Sequence, residues 1–317
     1  MEACHSPQQY KVTSYGTITV AIMSLEAFAG MWINSFIVCV LCIGWMKKKT
    51  LNSNEKILLL LGCSRFCSLC VSWAYSFLSL IFPIYLYVHP ILQLAVFFQA
   101  FFNQCNLWVS ASLCVFYCIK IANFRNTFFI YLKVKIDRMV PWLLLGSVLS
   151  ALALGTVISN LTETVQGNNL SSTCHRNFWE ASIRMDKHFT SSFLLAGFGY
   201  AASFMAVVSS AVFLLFSLWR HKRKMQTNSM KDLSMEAHIK AMKSILSFLV
   251  MYTINFVCLI LTIIYPTNNE NTLTGFIAIY LCAFPGIHSL ILIFGNPKLE
   301  KALLRILSCV NCEFFMK

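Results

Sequence analysis

The sequence predicts an all-α protein, a bundle of seven membrane-spanning helices with the N terminus outside and the C terminus in the cytosol. Three observations carry that reading. Seven long apolar stretches recur along the chain, each near or above the roughly 20 residues a helix needs to cross a bilayer. The short loops between them carry lysine and arginine on alternate sides. The composition, 58% hydrophobic and 12% charged, does not suit a soluble domain.

The stretches fall at Thr17–Met46, Ile57–Ile81, Pro90–Ile119, Met139–Ser159, Phe189–Trp219, Ser244–Tyr265 and Leu273–Phe294. Residues 1–16 form an extracellular N terminus, 17–294 the helical bundle and 295–317 a cytosolic tail, all in one domain. Residues 1–16 lack the apolar core of a cleavable signal, so the first span serves as the insertion signal.

The net charge of +13 would suggest nucleic acid in a soluble protein. Its placement points to topology instead. Lys47, Lys48, Lys49 and Lys56 follow span 1; Lys120, Arg125, Lys133, Lys135 and Arg138 follow span 3. Arg220, Lys222, Arg223, Lys224, Lys231, Lys240 and Lys243 follow span 5, and Lys298, Lys301, Arg305 and Lys317 lie in the tail. These twenty of the 25 basic residues share one side, which the positive-inside rule makes cytosolic.

Most of the fourteen cysteines fall within spans, where cysteine acts as a small hydrophobe. Cys4 and Cys174 lie on the oxidising side without further support for a bond. Cys309 and Cys312 follow the last span in a basic tail, a setting for reversible palmitoylation or for two free thiols. The outside loop between spans 4 and 5 holds two N-glycosylation sequons, at Asn160 and Asn169.

Inside the membrane, Arg65 lies about 12 Å and Asn34 about 18 Å from the cytosolic ends of spans 2 and 1, at 1.5 Å per residue. An Arg65–Asn34 hydrogen bond is therefore geometrically reasonable. Glu26 shares a face with Gly30 and Asn34 but reaches Arg65 only with both side chains extended. Such groups are costly in lipid and have a partner or a task; for Arg65 a structural clamp is expected rather than a ligand role, because it lies deep toward the cytosol. No HExxH, GxSxG or phosphate-loop motif is present, the histidines suggest no metal site, and no cofactor is implied. An enzyme is not expected.

Several fragments, in order, carry a resemblance. Span 1 gives Glu26, Gly30 and Asn34, and span 2 gives Ser64-Arg65. Span 3 reads Leu107-Trp108, Val115-Phe116-Tyr117 and Lys120-Ile121-Ala122-Asn123-Phe124. Span 5 closes with Ser217-Leu218-Trp219-Arg220-His221. The third inside loop ends in Glu236-Ala237-His238, Lys240-Ala241 and Lys243, and span 7 in His288-Ser289, Leu292-Ile293 and Gly295-Asn296. Taken together the chain resembles the bitter taste receptors, the type 2 taste receptor family of G protein-coupled receptors. It departs from them at Gln99, where the family has an aromatic residue, at Ser203-Phe204 in place of Pro-Phe, at Phe-Tyr-Cys in place of Phe-Tyr-Phe, and at Asn126-Thr127 in place of Asn-Pro.

The resemblance implies a plasma-membrane, multi-pass receptor that binds small bitter agonists in the outer half of the bundle. It implies that binding shifts helices 5 and 6 and activates a gustducin- or inhibitory-type heterotrimeric G protein. Carried over by residue, the ligand pocket is Gln99, Asn103, Asn255, Ala278 and Leu281. The activation network is Glu26, Asn34, Arg65 and Ser289, and the coupling face is Tyr117, Lys120, His238, Lys240 and Lys243. For Gln99 and Asn103 interhelical hydrogen bonding without ligand contact is the competing reading. Most basic loop residues also read as topology and contact with anionic membrane lipid. A homo-oligomer is left open. The alternative function is a small-molecule channel or transporter, which would call for repeat symmetry or a polar file through several spans.

Overall fold

The computed structural model describes residues 14–81, 91–122, 127–172, 178–227, 232–264 and 272–315. Side chains are described for 17–78, 81, 91–122, 127–160, 197–220, 223, 245–262 and 273–308. Among these residues the chain forms eight helices and no strand: α1 Ser14–Lys48, α2 Ser53–Ile81, α3 Ile91–Ile121, α4 Thr127–Ser172, α5 Phe178–Thr227, α6 Asp232–Ile264, α7 Thr272–Gly295 and α8 Pro297–Phe315. The first seven are long and apolar enough to cross a membrane. The protein is a multi-pass membrane protein.

Local chemistry sets the helix ends near the basic loops. Helix α1 stops where Lys49 takes φ 56° and its N–H closes on the Trp45 carbonyl at 2.7 Å, a left-handed cap. Asn52 then starts α2, with Glu55 three residues on accepting the Asn52 N–H at 3.1 Å, one half of a capping box. At the other seam Gly295 ends α7, Asn296 Oδ1 accepts the Lys298 N–H at 3.0 Å, and Pro297 occupies the first helical position, where it needs no donor. Lys298 Nζ reaches back to Glu55 Oε1 at 2.5 Å, tying α8 to the start of α2.

Two helices overrun their apolar stretches. Helix α4 begins at Thr127, so the basic segment expected as a loop before Met139 is helical. Here Pro141 lacks the N–H that would bond the Asp137 carbonyl, and Ser53 Oγ donates to that carbonyl instead, at 3.4 Å. Past the apolar stretch α4 continues to Ser172, and α5 starts at Phe178, so much of the segment expected as an outside loop has helical backbone. The tail is likewise helical over α8. Apolar length reports the depth of lipid, and backbone hydrogen bonds continue beyond it wherever no breaker intervenes.

Helix α3 packs against α2, α4 and α5. Helix α1 touches α2 and α7, and α6 joins α5 to α7, closing the ring. The α1–α7 contact is made through glycine: a Cβ on Gly286 would lie 3.2 Å from the Gly30 Cα. Small residues allow this approach in lipid, where association rests on packing rather than on exclusion of water.

Apolar packing fills the half of the bundle nearer the basic loops. Ile37, Leu41, Leu58, Leu61, Val109, Leu113, Ile136 and Ile293 all pack there at 3% exposure or less. In the other half α3 makes no close backbone approach to α6 or α7 among the described residues. That separation leaves a cavity.

Candidate functional site

The cavity has a volume of about 300 Å³ and lies between α2, α3, α6 and α7. Along α3 its wall is a polar stripe of Gln99, Asn103, Asn106 and Ser110. Steps of four, three and four residues keep these on one helix face, spanning about 16 Å at 1.5 Å per residue. Facing them are Arg65, Ser68 and Ser72 of α2, Tyr252 and Asn255 of α6, and Ala278, Leu281 and Phe284 of α7.

All five residues expected in the ligand pocket, Gln99, Asn103, Asn255, Ala278 and Leu281, line this one cavity. Gln99 Oε1 accepts from Ser72 Oγ at 3.0 Å, and Asn103 Nδ2 donates to the Tyr200 hydroxyl of α5 at 2.9 Å. Both amides thus make interhelical bonds while bordering the cavity. Asn255 differs. It is 4% exposed and has no hydrogen-bond partner among the described residues, so its amide presents both donor and acceptor to whatever occupies the space.

At the floor the network departs from the expected pairing. Arg65 does not bond Asn34 directly. Its Nη1 donates to Ser289 Oγ at 2.8 Å, and Ser289 Oγ donates to Asn34 Oδ1 at 2.8 Å. Asn34 Nδ2 closes on the Gly30 carbonyl at 2.8 Å. The glycine contact brings α7 close enough to α1 for its serine to stand between the two. The other guanidinium nitrogen, Nη2, lies 3.3 Å from Ser110 Oγ and also meets His288 Nδ1. Arg65 therefore links α2, α3 and α7, and it borders the cavity, so the depth argument that set it apart from ligand does not hold.

Glu26 makes no ion pair with Arg65; one of its carboxyl oxygens is buried without a hydrogen-bond partner among the described residues. The arginine turns toward α3 and α7, where acceptors are nearer. Sequence reasoning missed Ser68, Asn106, Ser110 and His288. The spacing of Gln99, Asn103, Asn106 and Ser110 held the signal for two of them.

Toward the basic end, Tyr117 is half-buried between two apolar clusters, and Lys120 Nζ pairs with Asp137 at 2.6 Å on the surface. His238, Lys240 and Lys243 belong to the first turns of α6, and their side chains lie outside the described residues. The same holds for Asn169, Cys309 and Cys312, and Cys4 and Cys174 lie outside altogether. Asn160 stands exposed on α4.

Comparison with known proteins gives one family throughout. A family model described as taste receptor protein (TAS2R) matches residues 12–311. Taste receptor type 2 member 2 of Homo sapiens is 31% identical over 291 residues, covering 91% of this chain and 95% of that one. Taste receptor type 2 member 10 of Papio hamadryas is 33% identical over 298 residues, with coverage of 93% and 94%. Member 9 of Homo sapiens is 32% identical over 301 residues, with coverage of 93% and 95%.

Proposed function

Because this chain belongs to the taste receptor type 2 family, a class of receptors and not of enzymes, we propose that it detects bitter-tasting small molecules and signals through a heterotrimeric G protein of the gustducin or inhibitory type. The observation that carries this reading is the cavity: it gathers amides from α3 and α6 around an apolar wall from α7. Concave, largely apolar sites with a few placed polar groups are what small ligands require. Asn255, without a hydrogen-bond partner among the described residues, selects agonists that can hydrogen-bond, and Leu281 and Phe284 take their apolar parts.

In this reading the basic end faces the cytosol of the plasma membrane. Tyr117, Lys120, His238, Lys240 and Lys243 form the face that meets the G protein, Asn160 and Asn169 accept glycans, and Cys309 and Cys312 accept lipid. Agonist works by favouring one arrangement of α6 and α7 over another, since a ligand shifts an equilibrium only by its differential affinity for the two states. Tyr252 and Phe284 border the cavity and pack against each other across α6 and α7, 6.2 Å between ring centroids, so they connect occupancy to that arrangement.

The test is calcium release in cells expressing the chain with a gustducin-like G protein, screened against bitter compounds. A dose-dependent response, weakened by Asn103→Ala at equal surface expression, is the expected result. A response that Asn103→Ala and Asn255→Ala both leave unchanged would remove the cavity from the argument.

A further inference from the structure

Arg65 is 2% exposed, and its hydrogen bonds go to two serine hydroxyls and a histidine ring nitrogen. None of these carries negative charge: a ring nitrogen facing a guanidinium N–H offers its lone pair. Among the described residues Arg65 has no ion pair. Glu55 and Asp137 are engaged by Lys298 and Lys120, and Glu26 stands two turns beyond Asn34, about 12 Å along α1. A buried cation without a counter-ion is costly in a protein interior and more so in a membrane.

The surroundings are suited to supplying one from outside the chain. Three bonds use three of the five guanidinium N–H donors, and Arg65 borders the cavity. Ser68, one turn along the same face of α2, borders it too, is 8% exposed, and has no hydrogen-bond partner among the described residues. Asn106 accepts from Ser64 through Oδ1 at 2.5 Å, which leaves its amide N–H groups as donors on the cavity wall. The floor thus presents a positive charge and spare donors, and among the described residues no carboxylate lines the cavity. A water molecule would satisfy the donors and leave the charge uncompensated; an anion does both.

We propose that the cavity floor beside Arg65 and Ser68 binds one monovalent anion, either a free halide or the acidic group of a ligand. The site goes beyond the receptor reading and does not depend on it: silence in a calcium assay would leave the anion site untouched.

The experiment is thermal melting of the purified full chain in neutral detergent, at constant ionic strength, replacing sodium gluconate, whose strongly hydrated polyol chain the largely apolar cavity excludes, with sodium chloride or with sodium benzoate. Saturable stabilisation by chloride, about 2 °C at tenfold its Kd, indicates a free ion. Stabilisation by benzoate alone indicates the acidic group of a ligand. Ser68→Asp places a tethered carboxylate one turn from Arg65, so the variant is expected to melt higher in gluconate and to lose the response to either anion. Arg65→Gln is expected to lose it as well; if that variant does not fold, Ser68→Asp decides. Melting curves that coincide in all three salts overturn the proposal. So does an anion response that Ser68→Asp retains in full, because it would arise elsewhere on the protein.

Discussion

Arg65 of α2 donates to Ser289 of α7 at 2.8 Å, joining residues 224 apart in sequence. The same serine hydroxyl donates onward to Asn34 of α1, so a single oxygen, fully buried, both accepts and donates to hold three helices in register. Removing it leaves a buried donor and a buried acceptor exposed to nothing.

Ser289→Ala is therefore expected to destabilise the fold by about 1–3 kcal/mol, the range for orphaning buried polar groups. Asn34→Ala breaks the same chain, so the double variant should lose less than the sum of the two. Melting temperatures of the purified single and double variants check this. Strict additivity would mean that the relay does not act as a unit.

The two glycines at the α1–α7 contact are not equivalent. At Gly286 a new Cβ meets the Gly30 backbone at 3.2 Å, and backbone retreats only by parting the helices. At Gly30 it meets Leu69 Cδ1, the end of a side chain that can rotate. Gly286→Ala should thus be the more damaging, on the order of 1–3 kcal/mol for an overpacked interface. Surface expression and melting of the two variants should rank them in that order; the reverse ranking would place the tight contact elsewhere.

Tyr200 of α5 holds Asn103 from behind the cavity through its hydroxyl. Tyr200→Phe removes that acceptor without changing ring volume, freeing the Asn103 amide to turn. Agonist potency is expected to fall by several-fold, consistent with one lost hydrogen bond of about 1 kcal/mol, and a Tyr200→Phe, Asn103→Ala double variant should be no worse than Asn103→Ala alone. Dose–response curves at matched surface expression measure both.

Ala278 places a methyl group on the α7 wall, so nothing at this position attracts a cationic agonist. Ala278→Glu is expected to raise the response to amine agonists relative to neutral ones of similar shape. An unchanged amine-to-neutral potency ratio would show that the position does not contact ligand.

The sequence by itself determined the seven spans, because each leaves a local mark, whereas Gln99, Asn103, Asn255, Ala278 and Leu281 were placed by position-by-position resemblance to a family and not by any pattern in this chain. A helix in lipid must be apolar for its whole crossing, and a polar residue that recurs every three or four positions keeps to one face. On α3 that spacing joined Gln99 to Asn103 in the sequence, and its continuation through Asn106 to Ser110 became evident only with the cavity. The seam at Gly295-Asn296-Pro297 is also local: capping depends on three adjacent residues, although the tail was not expected to continue as α8.

Only the tertiary structure decided that Ser289 stands between Arg65 and Asn34, that His288 and Ser110 share the guanidinium, and that Arg65 borders the cavity. Sequence spacing fixes the depth and face of each side chain on its own helix, but not the rotation of one helix against another. That rotation is set by where backbones can approach. Here a glycine on α1 and a glycine on α7 permit a contact that brings Ser289 within 2.8 Å of both partners, and α3, held away from α6 and α7, leaves the space those residues enclose.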